Sequence, residues 1–472
     1  MKTTILGAVL VPLVLFAACG GDGGSSDAPS KPGANDGGVD SGGADSGNET
    51  SAGEAGQSTV PTTQGGDASE GGTISGQGGR SDALGGAPGE MTGNGGAPQL
   101  PNSPVSGHIF SMSGVALEGA VVTINGESTL TDENGAFTLD DVPPKYDVTV
   151  IYSSDAGGLQ AAELVDDLTT RDLSLRLWQV RNDASSASVF GKLAAAVAKG
   201  HEAVVQLVGE HTTSPSDSLP AGSTDYDMEL QWEGGGDGVA DLVGLEWAIG
   251  ETGPSSYTGF ARKSMQAPDG TGVIANLTLV KPTQKTVAGT LTAEGAPPLD
   301  SFLNFGPIQI QLTLQAGSIA VVVPEIGVTP IISVAAPVGD AYATVKAPAT
   351  LKPLALEIPA APKLILPIDK AKVDLNTEFI FTRPGKLAAV WWALGSWMVV
   401  HVTDQTKLKL PDLRTAGIVY DIGDDLAPWV VDTYGPAETP EEFLRLMDGT
   451  SPMLETSLTT TARATRSLYL PN

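Results

Sequence analysis

The chain reads as all-β, a series of tandem β-sandwich modules after a disordered Gly/Ser-rich tether. Three observations predict this. From Pro104 onward, aliphatic and β-branched residues come in short runs divided by Gly, Pro, Asn and Asp. Stretches of helical period are scarce there, and short strands at regular spacing with turn signals between them are the pattern of sandwiches. Before Pro104 large apolar residues are nearly absent, so that stretch cannot bury enough surface to offset chain entropy. About 370 residues remain after the tether, which suits three or four modules of ordinary size.

Residues 1–18 read as an export signal. Met1 and Lys2 precede an apolar run from Ile5 to Phe16, then Ala17-Ala18-Cys19-Gly20. A charged start, an h-region of about a dozen residues and small residues before a cut are the parts of a secretory signal peptide. The run is too short to span a hydrocarbon core as a helix, which takes about 20 residues. Leu15-Phe16-Ala17-Ala18-Cys19 resembles the lipobox of bacterial lipoproteins, departing from it at Phe16, where Leu is usual. The resemblance implies that Cys19 is acylated, with palmitate among its chains, and becomes the mature N-terminus. Gly20, in place of an Asp retention signal, implies the outer membrane. The implied partner is the membrane, reached through the lipid anchor. The rival reading is an ordinary signal peptide cut elsewhere.

Cys19 is the one cysteine of the chain. Once acylated it leaves no thiol for disulfides, for a cysteine nucleophile or for Cys-based zinc, despite the oxidising compartment. Stability must then come mainly from apolar burial. Residues 19–103 form the tether, as in Gly33-Ala34-Asn35-Asp36-Gly37-Gly38. About 85 flexible residues span roughly 50 Å r.m.s., more than the ~30 Å bilayer core. Its acids lack the spacing of a calcium loop. The formal net charge of -29 argues against nucleic acid, which needs Lys and Arg for its phosphates. It also argues against adsorption to an anionic membrane surface.

Residues 104–180 form the clearest module. Val105-Ser106-Gly107-His108-Ile109 is followed by Ala120 to Ile124, by Thr131-Asp132-Glu133-Asn134-Gly135-Ala136-Phe137-Thr138-Leu139, and by Tyr146 to Val150. Alternation places Val122 and Ile124 on one face and Val121 and Thr123 on the other. Asp132 to Gly135 is a turn, with Gly135 able to take positive φ. The string resembles the carboxypeptidase regulatory-like domain, a transthyretin-like or CnaB-like sandwich. Such domains are usually accessory modules, so the likeness implies fold more than function. Some CnaB relatives join strands by a Lys–Asn isopeptide bond. Here the first strand carries His108 and no lysine, which predicts no such bond.

The histidines suggest no metal site. His108, His201, His211 and His401 fall into no ligand spacing, and Val205 stands where the second His of a zinc-protease helix would follow His201-Glu202. No Gly-x-Ser-x-Gly elbow occurs. Isolated acids are plentiful, so a carboxylate pair remains open but none is singled out. The expectation is no enzyme and no cofactor.

Residues 181–359 are read as one or two further sandwiches. Val189-Phe190-Gly191-Lys192-Leu193 and Ala203 to Gly209 echo the opening of the first module, and Val287-Ala288-Gly289-Thr290-Leu291 echoes it again. An Ala-rich helix is the rival over Leu193 to Val208; the spacing favours strands. Ile308 to Leu314 alternates and should have one wet face, while Ile319 to Val323 is continuously apolar and should be buried. A transmembrane hairpin would alternate too, but a lone hairpin cannot close a barrel, and prolines interrupt it.

Residues 360–472 hold four further runs, Pro362 to Pro367, Thr377 to Thr382, Lys407 to Leu413 and Trp429 to Tyr434. The Leu410-Pro411-Asp412-Leu413 corner and the later aromatic strand resemble a fibronectin type III-like sandwich. Thr439 to Met447 reads as a short capped helix, an addition to that fold, before a last strand near Thr459 to Leu470. Trp391, Trp392 and Trp397 are candidate ligand contacts for a glycan or protein partner, against burial in a sandwich core. Alternation puts Trp391 and Trp392 on opposite faces, which would leave one exposed. The expected role is a lipid-anchored envelope protein presenting sandwich modules for surface interaction or structure. The alternative is a carbohydrate-binding or enzyme-accessory lipoprotein.

Overall fold

The computed structural model describes residues 101–469 apart from 113, 154–159, 178–183, 210–211, 214–215, 234–235, 296, 415–417, 419–425 and 452. Cys19, the signal peptide and nearly all of the expected tether lie outside the described residues. The described chain is all-β, four sandwiches with two short helices in the last.

The first sandwich comprises β1 (Ser103–Ser111), β2 (Val121–Ile124), β3 (Glu127–Leu130), β4 (Ala136–Val142), β5 (Tyr146–Tyr152), β6 (Gln160–Leu168) and β7 (Asp172–Leu177). Two-residue periodicity sets its core. Val105, Ile109, Val122, Ile124, Phe137 and Leu139 are buried, and Val121 and Thr123 sit on the wetter side. The turn before β4 is built by Asp132, whose Oδ1 accepts the amides of Asn134 and Ala136, each at 2.9 Å. Gly135 closes it at φ 70°, where a side chain would be strained.

The second sandwich comprises β8 (Ala184–Lys192), β9 (His201–Val208), β10 (Thr212–Thr213), β11 (Asp217–Pro220), β12 (Asp225–Glu233), β13 (Gly238–Ile249), β14 (Pro254–Ala267) and β15 (Gly272–Ile274). Leu193 to Val208 is thus a loop and a strand rather than an Ala-rich helix. Buried Val204, Val205 and Leu207 favour the sheet over what Ala194 to Ala196 favour locally. The third comprises β16 (Thr283–Thr292), β17 (Asp300–Phe305), β18 (Ile308–Leu312), β19 (Gly317–Glu325), β20 (Ile331–Val338), β21 (Ala341–Pro348) and β22 (Leu354–Glu357). β18 alternates, with Ile308, Ile310 and Leu312 inward. β19 departs from the expected continuous burial, since Ala320 is exposed and Val322 half-buried. It belongs to a three-stranded outer sheet with a solvent face, and its apolar run does not require two covered faces.

These three sandwiches share one plan. In each, the first strand lies between the fourth long strand and the last, which runs parallel to it: β4-β1-β7, β12-β8-β15 and β19-β16-β22. The facing sheets run β3-β2-β5-β6, β11-β9-β13-β14 and β18-β17-β20-β21. The echo Val-x-Gly-x-Ile/Leu is the first strand of each copy. Its outer two members are buried, and the glycine pairs with the last strand. A Cβ on Gly107, Gly191 or Gly289 would overlap the carbonyl oxygen of Leu173, Ala275 or Leu354; Leu173 and Leu354 are register partners in the last strand, and Ala275 directly follows it. The repeated glycine is where the last strand comes too close for a side chain.

The fourth sandwich comprises β23 (Lys363–Leu366), β24 (Glu378–Thr382), β25 (Ala388–Leu394), β26 (Trp397–Thr403), β27 (Lys407–Lys409), β28 (Leu426–Gly435), α1 (Pro440–Met447), α2 (Met453–Thr456) and β29 (Thr459–Tyr469). Thr439 caps α1, its Oγ1 accepting the Glu442 amide at 3.2 Å, with Pro440 at the first position. Its plan differs from the other three: β23-β24-β27 faces β26-β25-β28-β29.

Edges join three of the sandwiches into one twelve-stranded sheet. Its order is β18-β17-β20-β21-β29-β28-β25-β26-β6-β5-β2-β3, so the fourth sandwich sits between the third and the first. β21 pairs antiparallel with β29 over Ala341–Lys346. β26 pairs parallel with β6, Trp397–Val402 against Gln160–Val165. Each joint occupies two strands that would otherwise be open edges. The second sandwich attaches by its face, where Val204, Val243, Leu245, Trp247 and Tyr257 share a core with β17 and β18.

Candidate functional site

The residues of chemical interest converge on the joint between the first and fourth sandwiches. The three tryptophans come first. Trp391 and Trp392 do point to opposite faces, as alternation requires, but both faces are covered. Trp391 is 5% exposed, Trp392 1% and Trp397 8%. The Trp391 side packs with α1 and the first sandwich, where Phe443, Leu446 and Val165 join it. The other side faces β24, and Trp392 and Trp429 meet Phe379 edge-on at 5.5 and 5.1 Å between centroids. The expected exposed indole is therefore absent from all three, and the ligand-contact reading is corrected to a core role. The sheet is covered twice because α1 and the β6 joint close the face that a lone sandwich leaves wet.

Beside Trp391 lies an ion pair whose carboxylate is buried and whose guanidinium is partly exposed. Asp432 on β28 stands opposite Arg463 on β29. Arg463 donates from Nε at 2.6 Å and from Nη2 at 2.5 Å to the two carboxylate oxygens, with the Trp391 indole alongside. Burial works against both charges. The bidentate contact and then Tyr434 overcome this for Arg463, which is held above its ordinary range.

Across the joint, His401 on β26 meets Asp166 on β6, Nε2 to Oδ1 at 2.9 Å. Burial would raise the Asp166 carboxyl, but the His401 hydrogen bond and charge, with Thr403, leave it below its ordinary value. Glu441 in the first turn of α1 accepts the amides of Thr169 at 2.8 Å and Thr170 at 3.0 Å. A cleft of about 570 Å³ opens beside it, lined by Lys145, Asp167, Arg383, Lys386 and Glu438 among others. Several of its charged groups are already engaged: Lys145 pairs with Asp167 at 2.6 Å, Lys386 pairs with Glu438, and Arg383 donates to the carbonyls of Gly385 and Asp404.

Glu163 is a signal that sequence reading missed. It sits on β6 facing α1, 2% exposed, and neither carboxylate oxygen has a hydrogen-bond partner. Burial first, and then the charge of Asp448, push its carboxyl well above the ordinary range. Asp448 is the C-cap of α1, at the negative end of the helix dipole. Burial pushes it up to about 7, with Arg176 partly opposing. Neither acid lines the cleft, so the pair holds protons inside a joint rather than meeting a substrate. The hint in the sequence was a Glu within the apolar stretch Ala161-Ala162-Glu163-Leu164-Val165.

Both native values lie above the unfolded ones, about 4 for each. The stability they contribute is complete below pH 4; for Asp448 it is lost as pH rises through about 7, and for Glu163 as pH rises through its own raised value. Glu163→Leu is expected to flatten that fall and to add about 1–3 kcal/mol at pH 8, the cost of an unsatisfied buried polar group. Urea unfolding of parent and variant at pH 5 and pH 8 checks this; an equal difference at both pH values would count against it.

The remaining histidines stay apart. His108 is exposed on β1 and stacks on Phe110 at 5.9 Å. His201 meets Glu246 at 2.8 Å within the second sandwich, and His211 lies outside the described residues. Among the described residues no three His, Asp, Glu or Cys side chains gather as a metal site. No described helix is long and apolar enough to cross a membrane.

No protein-family model matches the chain, and no curated protein matches it. Among solved structures, the Bacillus anthracis TIE protein is similar at 10% identity and TM-score 0.15, over 54% of this chain and 50% of that one. This chain therefore spans half the length of that protein. The shaft pilin SpaA from Lactobacillus rhamnosus GG is similar at 9% identity and TM-score 0.14, over 39% of this chain and 98% of the pilin. GBS52, the minor pilin of Streptococcus agalactiae, is similar at 11% identity and TM-score 0.17, over 39% and 98%. At these values the likeness carries no argument about activity or partners.

Proposed function

We propose that this is a lipid-anchored protein of the outer membrane whose folded part is a structural or surface-interaction block. The observation that carries the reading is the twelve-stranded sheet. Three sandwiches joined through paired edges form a stiff body, whereas sandwiches on plain linkers would move independently. The hydrogen bonds of His401 to Asp166 and of Glu441 to the Thr169 and Thr170 amides serve the same end, since they span the first and fourth sandwiches.

The module assignments have support of different kinds. The three-plus-four strands of the first sandwich suit a carboxypeptidase regulatory-like domain. The order β23-β24-β27 against β26-β25-β28-β29 supports the fibronectin type III-like reading of the last. The anchor rests on Leu15 to Gly20 alone. Its test is metabolic labelling with a palmitate analogue. The parent chain is expected to take up label and Cys19→Ser to lose it; equal labelling would refute the anchor.

A further inference from the structure

We propose that the loop from Lys363 to Lys372 is a docking surface for an anionic phospholipid bilayer. The inference rests on the proposed anchor for its biological setting and adds the contact by which the folded block would meet the membrane. The loop runs out of edge strand β23. Ile365 is 48% exposed, Leu366 45% and Ile368 65%, three large apolar side chains within four positions. Isolated exposed aliphatics are ordinary, but a group of them on one rigid projection marks an interaction site.

The loop is tied down from below. Arg466 on β29 donates through Nη1 to the carbonyls of Pro367 at 2.8 Å and Ile365 at 3.1 Å, and through Nη2 to that of Leu364. The Ser467 amide donates to Asp369 Oδ1 at 2.9 Å, and the Lys370 amide to the Ser467 carbonyl at 2.6 Å. The backbone is thus held in place while the apolar side chains are turned to solvent. Little ordering entropy remains to be lost when they are covered.

Charge selects the occupant. The whole chain carries -29, yet Lys363 to Lys372 contains three lysines and one acid. Lys363, Lys370 and Lys372 are exposed, and Asp369 already accepts the Ser467 amide. Asp374, the next acid, accepts the Asn376 amide and the Thr377 hydroxyl. Aliphatic side chains collared by lysine are the composition of surfaces that insert shallowly at the headgroup level and hold lipid phosphates.

The experiment leaves the anchor out, so its failure is distinct from that of the labelling test above. The chain from residue 19 with Cys19→Ser is sedimented with vesicles of equal parts phosphatidylglycerol and phosphatidylethanolamine, and with phosphatidylcholine vesicles. Binding to the anionic vesicles is expected, with little to phosphatidylcholine. The triple variant I365S/L366S/I368S should weaken it roughly tenfold or more. K363E/K372E should weaken it by a similar factor while keeping the parent's circular dichroism and unfolding midpoint. Equal binding to both vesicle types, or no change in folded variants, would overturn the proposal. So would self-association of the parent that the triple variant abolishes, because the occupant would then be a second copy.

Discussion

Arg463→Ala is expected to cost roughly 3 kcal/mol, the low end of the range for breaking a buried pair from one side, because the carboxylate is buried while the guanidinium is 29% exposed. Asp432 is 3% exposed and takes both guanidinium bonds on its two oxygens. Removing Arg463 strands a carboxylate between β28, the Trp391 face and α1, with Tyr434 beside it. The stranded group must bind a proton or admit water. Either path loosens the face on which the first sandwich and the fourth share their core. Replacing both members, as in Asp432→Leu with Arg463→Met, should recover much of the loss, since apolar residues of similar volume often substitute for buried pairs. Chemical denaturation of the full chain measures both. A loss below about 1 kcal/mol for Arg463→Ala, the size of an exposed pair, would contradict the burial described.

Trp392→Ala is expected to cost about 3–5 kcal/mol through the cavity it leaves. Its ring is among the largest fully buried side chains and meets Phe379 edge-on. Trp391→Ala should cost a similar amount from the opposite face, because that face is closed by α1 and the first sandwich. Two large losses would show that both sides of β25 are interior. If Trp391→Ala were nearly neutral, the face it occupies would be open to water and the joint with β6 would be loose in solution.

The all-β class was legible because period-two patterning and turn residues act locally, and no tertiary contact has to be known to read them. The first module shows this at Asp132 to Leu139, where turn chemistry and alternation agree. The repeated Val-x-Gly-x-Ile/Leu was visible as an echo. Its cause was not, because the carbonyls of Leu173, Ala275 and Leu354 that exclude a side chain come from strands about 65–85 residues away. The tryptophans stayed open between ligand contact and core for a related reason. Alternation alone leaves one face of a sheet wet, yet Ala388-Ala389-Val390-Trp391-Trp392 and Trp397-Met398-Val399-Val400 are apolar at consecutive positions. A continuous apolar run is the mark of strands buried on both faces. The candidate site was the least legible part. His401 meets Asp166, and Glu163 faces Asp448, across more than 200 residues of chain. Their pairing depends on β6 joining β26, and edge-to-edge contact between distant modules leaves no periodic trace.

Native-state hydrogen exchange of the full chain tests the joint between β6 and β26. If the first and fourth sandwiches share one continuous sheet, ladder amides of Gln160–Val165 and Trp397–Val402 exchange only by global unfolding. They should then share the protection of the β28–β29 pair and follow the same denaturant dependence. Fast exchange along either strand, at a free energy well below that of β28 and β29, would contradict it. The first sandwich would then be a separate module beside the fourth rather than part of its sheet.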